Sequence, residues 1–105
     1  MWEIILHITT WAGAVRRRLG GEAVQLSPEQ DWPGVTNTTE VAWSASIEAL
    51  KHAHAELLES MSRLDDSRLK DIVPGKDYSV YLMLHGLIQH DLYHAGQIVI
   101  LKKAV

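Results

Sequence analysis

A chain of 105 residues is long enough for one small domain, which we expect to span residues 1–105. Apolar residues make up 47% of the chain and charged residues 22%, which is typical of a soluble globular protein. The net charge of −3 argues against a nucleic-acid-binding protein. Because the chain has no Cys, we expect neither disulfides nor thiolate metal ligands, so that any metal must be held by nitrogen and oxygen. This composition fits a cytoplasmic protein.

No stretch of the sequence predicts a membrane-spanning helix or a signal peptide. The most apolar region, residues 80–101, is interrupted by several polar side chains, including His85, Gln89 and Asp91. Near the amino terminus, the short run Ile4-Ile5-Leu6 has no preceding cation. We therefore expect no membrane partner.

The first predicted helix covers residues 2–19. Gly20-Gly21 ends it, as glycine commonly does after the last helical turn. The three arginines at positions 16–18 lie in the last turn, where cations interact favourably with the helix dipole. We interpret them as a solvated helix end, with binding of an anionic substrate as the alternative. The apolar stripe of this helix has the spacing of a buried face: Ile4, His7, Trp11 and Ala14.

Residues 20–37 show no periodicity and are punctuated by Ser27-Pro28 and Trp32-Pro33-Gly34. Such a connection is long for a compact domain. Its roughly 18 residues can span about 60 Å, whereas the first helix is only about 27 Å long. The connection can therefore return along the first helix, so that the two helices it joins can be parallel. We expect Trp32 to pack over the bundle as a lid.

A second long helix is predicted over residues 39–64, followed by a turn within residues 67–73. Its apolar stripe keeps spacings of 4 and 3 throughout: Trp43, Ile47, Leu50, His54, Leu57, Met61 and Leu64. We interpret His54 as a boundary histidine, with a role in or beside a metal site as the alternative. A third long helix begins near Asp77 or Ser79 and ends at Lys103. The chain is therefore predicted to be all-α, a helical bundle with three long helices.

The last helix contains the most informative motif, two histidines one helical turn apart. His90 and His94 lie on one helix face, and neutral imidazole is the commonest transition-metal ligand. If the first and last helices are antiparallel, His7 can supply a third ligand. Three histidines leave coordination positions open for water or substrate, which is typical of catalytic sites. The alternative is that these histidines only pack in the core. The apolar stripe that carries the pair is Met83, Leu87, His90, His94, Gln97 and Leu101.

These motifs resemble those of the DinB/YfiT-like four-helix bundles, and the resemblance covers nearly the whole chain. It implies a bundle with a long crossover loop and one divalent metal ion bound by His7, His90 and His94. We expect nickel, zinc or iron, which suit imidazole ligands. Asp91 is interpreted either as orienting a ligand or as a surface charge. The matching segments are Trp2-Glu3-Ile4-Ile5-Leu6-His7, Asp31-Trp32-Pro33, Trp43 and His90-Asp91-Leu92-Tyr93-His94-Ala95-Gly96-Gln97-Ile98.

The resemblance also implies a further helix before the one that carries His7. Here the sequence starts at Met1, so we expect one wall of the bundle to be missing and its apolar stripes to be partly exposed. We expect a second copy of the chain to cover them in a homodimer, with a truncated sequence as the alternative.

Two functions follow from this resemblance. Family members include metal-dependent hydrolases and thiol S-transferases that use bacillithiol, mycothiol or glutathione-like cosubstrates. The first function is therefore a metal-dependent enzyme that activates a thiol or water for S-transfer to, or hydrolysis of, a small electrophile. The second is a non-catalytic, metal-binding, oligomeric bundle related to stress. A pocket with polar groups beside open metal positions favours the enzyme, and a site sealed by apolar side chains favours the bundle.

Overall fold

The computed structural model describes residues 1–104 as an all-α bundle. These residues form no strand, apart from an isolated antiparallel bridge between Ile72 and Ser79. None of the described helices has a stretch both long enough and apolar enough to cross a membrane. The helices are α1 (Trp2–Leu19), α2 (Pro28–Asp31), α3 (Glu40–Ser62), a 3₁₀ helix (Asp66–Lys70) and α4 (Val80–Ala104).

Capping residues explain where the long helices begin and end. Gly21, just after α1, has a φ of 96°, a left-handed conformation that glycine adopts without strain. The Thr39 side chain accepts a hydrogen bond from the Ala42 amide at the start of α3. The Ser79 side chain does the same for the Leu82 amide at the start of α4. The three long predicted helices are thus confirmed, with ends shifted by a few residues.

The connection between α1 and α3 contains a helix that the sequence analysis did not predict. Ser27 begins α2 with a capping box, in which Ser27 and Gln30 each accept a hydrogen bond from the other's backbone amide. The absence of periodicity in residues 20–37 did not reveal this helix, because a helix of four residues is too short to produce an apolar stripe.

Contacts near both ends of α1 show that α3 runs parallel to it. Trp2 Nε1 donates to Ser46 Oγ at 2.9 Å near the beginning of both helices. Arg16 pairs with Glu56 at 3.1 Å towards their other ends. The long connection therefore returns the chain along α1, as its length allows.

Helix α4 runs antiparallel to α1. Its middle contacts the beginning of α1, where His90 meets His7, and the residues just before it lie near the end of α1, where Arg18 contacts Tyr78. Helix α1 packs against each of α2, α3 and α4, so it is the central element of the bundle. The core forms around it, with Val15 and Val73 among the most buried side chains.

The face of α4 turned away from α1 is apolar and exposed. Between residues 80 and 101 the only Asp, Glu, Lys or Arg is Asp91. A helix that is hydrophobic on all sides is normally buried on all sides. The expected exposure of an apolar stripe is confirmed on this helix. Seven large apolar side chains on it are 51–68% exposed, and we call them the outer face of α4: Tyr81, Leu82, Ile88, Leu92, Tyr93, Val99 and Ile100.

Candidate metal centre

The antiparallel packing of α1 and α4 brings His7, His90 and His94 together. Their nearest ring nitrogens all lie within 4.8 Å of one another. His7 Nε2 is 2.9 Å from His90 Nε2, and the His90 and His94 ring centres are 4.4 Å apart. His7 and His94 are buried, whereas His90 is partly exposed. The structure therefore assembles the three residues that were predicted as ligands, from the two helices that were expected to carry them.

Asp31, the last residue of α2, holds His7 through two oxygens. His7 Nδ1 lies 2.6 Å from the Asp31 carbonyl oxygen and 3.1 Å from its carboxylate. The same carboxylate accepts a hydrogen bond from Trp11 Nε1 at 2.6 Å. Because these oxygens only accept, His7 Nδ1 must donate, which leaves Nε2 with a lone pair. The sequence analysis missed this role of Asp31, since the contact depends on the path of the connection and not on any periodic pattern.

The two histidines of α4 are oriented in the same way by residues of their own helix. His90 Nδ1 lies 3.2 Å from Asp91 Oδ1, and His94 Nδ1 lies 2.5 Å from Gln97 Oε1. In each pair the oxygen accepts and Nδ1 donates, so that Nε2 again keeps its lone pair. Ligating histidines characteristically use their second nitrogen in this way. Of the two interpretations of Asp91, the geometry supports the orienting role.

This hydrogen bonding leaves the cluster with lone pairs facing one another. His7 Nε2 and His90 Nε2 are only 2.9 Å apart, and when both rings are neutral with Nδ1 donating, neither Nε2 carries a proton for the other. Two such nitrogens repel unless a cation lies between them. Because metal–imidazole bonds are about 2.0–2.1 Å long, both nitrogens can reach a single ion. The donor set therefore fits a divalent transition metal.

Trp32 covers the cluster from the connection between α1 and α3. Its ring stacks on His7 with centroids 3.7 Å apart and planes 3° from parallel. The edge of the same ring system lies against His94, with centroids 5.8 Å apart. Trp32 remains 46% exposed, so it separates the histidines from solvent. The prediction that Trp32 packs as a lid is confirmed.

His54 lies outside the triad, on the surface of α3. Its side chain is 47% exposed, and Nε2 is 3.8 Å from Asp91 Oδ2. His54 is thus a surface histidine outside the triad, in contact with the carboxylate that also accepts from His90. His85 is also exposed and stacks on Tyr81, away from the cluster.

The arginines at the end of α1 divide into two kinds. Arg16 and Arg17 are ion-paired at the surface, as expected for a solvated helix end. Arg18 is only 3% exposed, so that interpretation is wrong for this residue. Its position carried a usable signal, because Arg18 continues the apolar stripe of α1 one turn after Ala14.

Burial lowers the pKa of His7 below its ordinary value of 6.5. The hydrogen bond to the Asp31 backbone and the Asp31 charge act in the opposite direction, and His90 and His94 lower the pKa further. The net effect favours the neutral imidazole, which is the form that can act as a metal ligand.

A family model described as the DinB superfamily matches residues 1–98. The match spans nearly the whole chain, and the protein belongs to this superfamily. The resemblance noted in the sequence is thereby confirmed. Searches of curated proteins and of solved structures found no match.

The lowered pKa of His7 predicts a pH dependence of stability in the metal-free protein. The unfolded chain takes up a proton on His7 near pH 6.5, but the folded chain resists it until lower pH. The contribution of His7 to the free energy of unfolding is therefore complete above pH 6.5 and is lost as the pH falls through the folded pKa. We expect the free energy of unfolding of the EDTA-treated wild type, measured with urea, to fall between pH 7.5 and pH 5.0. This fall should be larger than the fall measured for the His7→Gln variant over the same pH range. An equal loss in both proteins would contradict this assignment.

Proposed function

We propose that the protein is a metal-dependent enzyme that binds one divalent ion through His7, His90 and His94. The enzyme promotes attack on a small electrophile, either by a thiol, which gives S-transfer, or by water, which gives hydrolysis. The supporting observation is the close approach of the His7 and His90 Nε2 atoms beside buried His94, with the Nδ1 atom of each of the three rings hydrogen-bonded to an oxygen. When bound, the ion supplies Lewis-acid activation of the thiol or water.

The surroundings of the triad favour an enzyme over a sealed metal-binding bundle. His90 lies on the wall of a cavity of about 300 Å³ between α1 and α4. Most of the wall is apolar, but Arg18 and Tyr78 also line it. A small molecule can therefore occupy space directly beside one of the proposed ligands, whereas a purely structural site needs no such space.

The chain's own residues prepare the ligands for this chemistry. The ring orientation of the three histidines is fixed by Asp31, Asp91 and Gln97. The two carboxylates also make their partner imidazoles better electron-pair donors to a metal ion. Trp32 restricts access of bulk water on the side of His7. A thiol cosubstrate of low molecular weight fits a cytoplasmic location, where such thiols are kept reduced.

The proposal predicts the metal content of the protein. Elemental analysis of the untagged wild type should give about one divalent ion per chain, since one triad can hold one ion. The His90→Ala variant should lose it, because two histidines remain. His85→Ala is the matched control on the same helix and should retain the metal. A folded wild type that neither contains metal nor takes it up on titration would contradict the proposal.

Activity separates the two candidate functions. The metal-loaded wild type should catalyse conjugation of a low-molecular-weight thiol to a chloroarene, or hydrolysis of an activated ester. Loss of that activity in His90→Ala, with retention in His85→Ala, is the expected result. A metal-loaded protein inactive in both assays would favour the non-catalytic bundle.

A further prediction concerns Asp91. Replacement by Ala removes both carboxylate oxygens, one of which accepts from His90. Loss of such a supporting partner typically weakens metal binding by about 10–100-fold. Competition with a chromophoric chelator should reveal this change in Asp91→Ala. His54→Gln is the control, because it alters the other neighbour of Asp91 and leaves His90 in place. An unchanged affinity in Asp91→Ala would contradict the orienting role.

We further propose that a second copy of the chain covers the outer face of α4. A covering surface must be apolar and almost free of charge, and the α4 helix of another copy is such a surface. Two copies related by a two-fold axis can bury both faces in one self-complementary interface. A groove of about 580 Å³ between α3 and α4 lies beside this face, with apolar lining that includes Ile8, Leu58 and Ala95 and with Lys51 and Asp91 also on its wall.

This proposal predicts a dimer that a single charge can disrupt. Leu92 is 68% exposed near the middle of the outer face. Sedimentation velocity should give a dimer for the wild type and a monomer for Leu92→Glu, because the interface would bury an unpaired carboxylate. Val41→Glu is the control, since Val41 is 80% exposed on α3 and away from this face. A wild type that is monomeric at micromolar concentration would overturn the proposal.

A further inference from the structure

Arg18 is a buried cation without a carboxylate partner. It is 3% exposed, and no Asp or Glu of residues 1–104 lies within ion-pairing distance of it. Its Nη2 donates to the Val24 carbonyl at 2.9 Å, and its Nη1 approaches the Tyr78 hydroxyl at 3.4 Å. Its Nε is buried and, among these residues, has no hydrogen-bond partner. Burying a cation in this way is costly unless an anion compensates it.

The preceding two arginines show that carboxylate partners are otherwise provided. Arg16 pairs with Glu56 at 3.1 Å, and Arg17 pairs with Glu22 at 2.7 Å. Both of these arginines are much more exposed than Arg18, so they need a partner less. Arg18 is therefore the most buried of the three arginines and, among the described residues, the one without a carboxylate partner.

Arg18 faces the same cavity as His90. This cavity of about 300 Å³ lies at the lower end of the size range for small-molecule sites. Apart from these two groups, its surface is mostly apolar. Its lining includes Trp11, Val15, Arg18, Tyr78, Leu87 and His90.

Trp11 lies between the cation and the histidine triad. The Arg18 guanidinium carbon is 5.5 Å from the centre of the Trp11 ring, and that ring is 5.7 Å from the ring of His90. One indole therefore separates the guanidinium from the proposed metal ligand. A ligand lying along Trp11 can have one end at Arg18 and the other beside His90.

We propose that this cavity binds a small organic carboxylate with an apolar body, and that Arg18 pairs with its carboxylate. Arg18 supplies planar, charged donors that suit a carboxylate, and Trp11 and Leu87 provide contacts for the body. That this ligand is the electrophilic substrate rests on the proposed function. Its binding does not, because Arg18 and the cavity require no metal.

The test uses 4-phenylbutanoate as a probe and isothermal titration calorimetry on the EDTA-treated full chain. The wild type should bind the probe at least about tenfold more tightly than its neutral amide, since hydrogen bonds to charged groups are worth more than neutral ones. Arg18→Gln should lose this preference. Arg17→Gln is the matched control and should keep it. Equal affinity for acid and amide, or an unchanged preference in Arg18→Gln, would overturn the proposal.

A second variant tests the cavity without altering the buried cation. Gly86 lies on the cavity wall, and a Cβ added there meets no atom within 4 Å. Gly86→Leu can therefore fill the cavity while keeping the fold, and it should abolish binding of the probe. Gly96→Leu is the control on the same helix, with equal space and no part in the cavity wall. Undiminished binding in a folded Gly86→Leu would overturn the assignment of the cavity.

Two further outcomes separate this inference from the proposed function. A protein that takes up metal but does not bind 4-phenylbutanoate overturns this inference alone. A protein that binds the probe through Arg18 but takes up no metal supports this inference and overturns the metal-dependent enzyme. Glutathione, whose carboxylates sit on a polar body, should bind more weakly than the probe, and tighter binding of glutathione would contradict the apolar character assigned to the ligand.

Discussion

The structure depends on how three imidazoles are held at one point between two antiparallel helices. Each ring has its Nδ1 atom directed to an oxygen, and in the neutral rings this leaves each Nε2 with a lone pair and no proton to share. In the case of His7 and His90 these nitrogens are only 2.9 Å apart. Bringing them together costs free energy that a cation between them would recover, and the pKa of His7 is lowered in the same surroundings. The superfamily assignment and the geometry thus lead to the same proposed metal centre.

The long connection between α1 and α3 has two roles in this arrangement. By returning along α1, it lets α1 and α3 run parallel and leaves the histidine face of α1 to α4 and the connection. Its short helix α2 ends at Asp31, which contacts both His7 and Trp11. The next residue, Trp32, stacks on His7. The connection therefore covers and orients the site, which gives it more than a linking function.

The sequence predicted those features that repeat along a helix. The spacing of apolar residues revealed the three long helices, and it placed His7, His90 and His94 on stripes that meet. The role of Asp31 could not be found in this way, because it depends on the three-dimensional path of an irregular segment. The burial of Arg18 was missed for a different reason. A cation in the last turn of a helix is usually solvated, and this general rule predicted an exposed Arg18. The position of Arg18 on the apolar stripe of α1 indicated burial, which is what the structure shows.

X-ray absorption spectroscopy at the metal edge can show whether His7, His90 and His94 share one metal ion. The protein would be loaded with one equivalent of zinc or nickel after removal of its own metal. Outer-shell scattering from imidazole carbons reports how many histidines bind the ion. We expect three imidazoles per ion, with the remaining ligands being oxygen from solvent. A spectrum with one imidazole or none would contradict it, because the ion would then be bound elsewhere than at His7, His90 and His94.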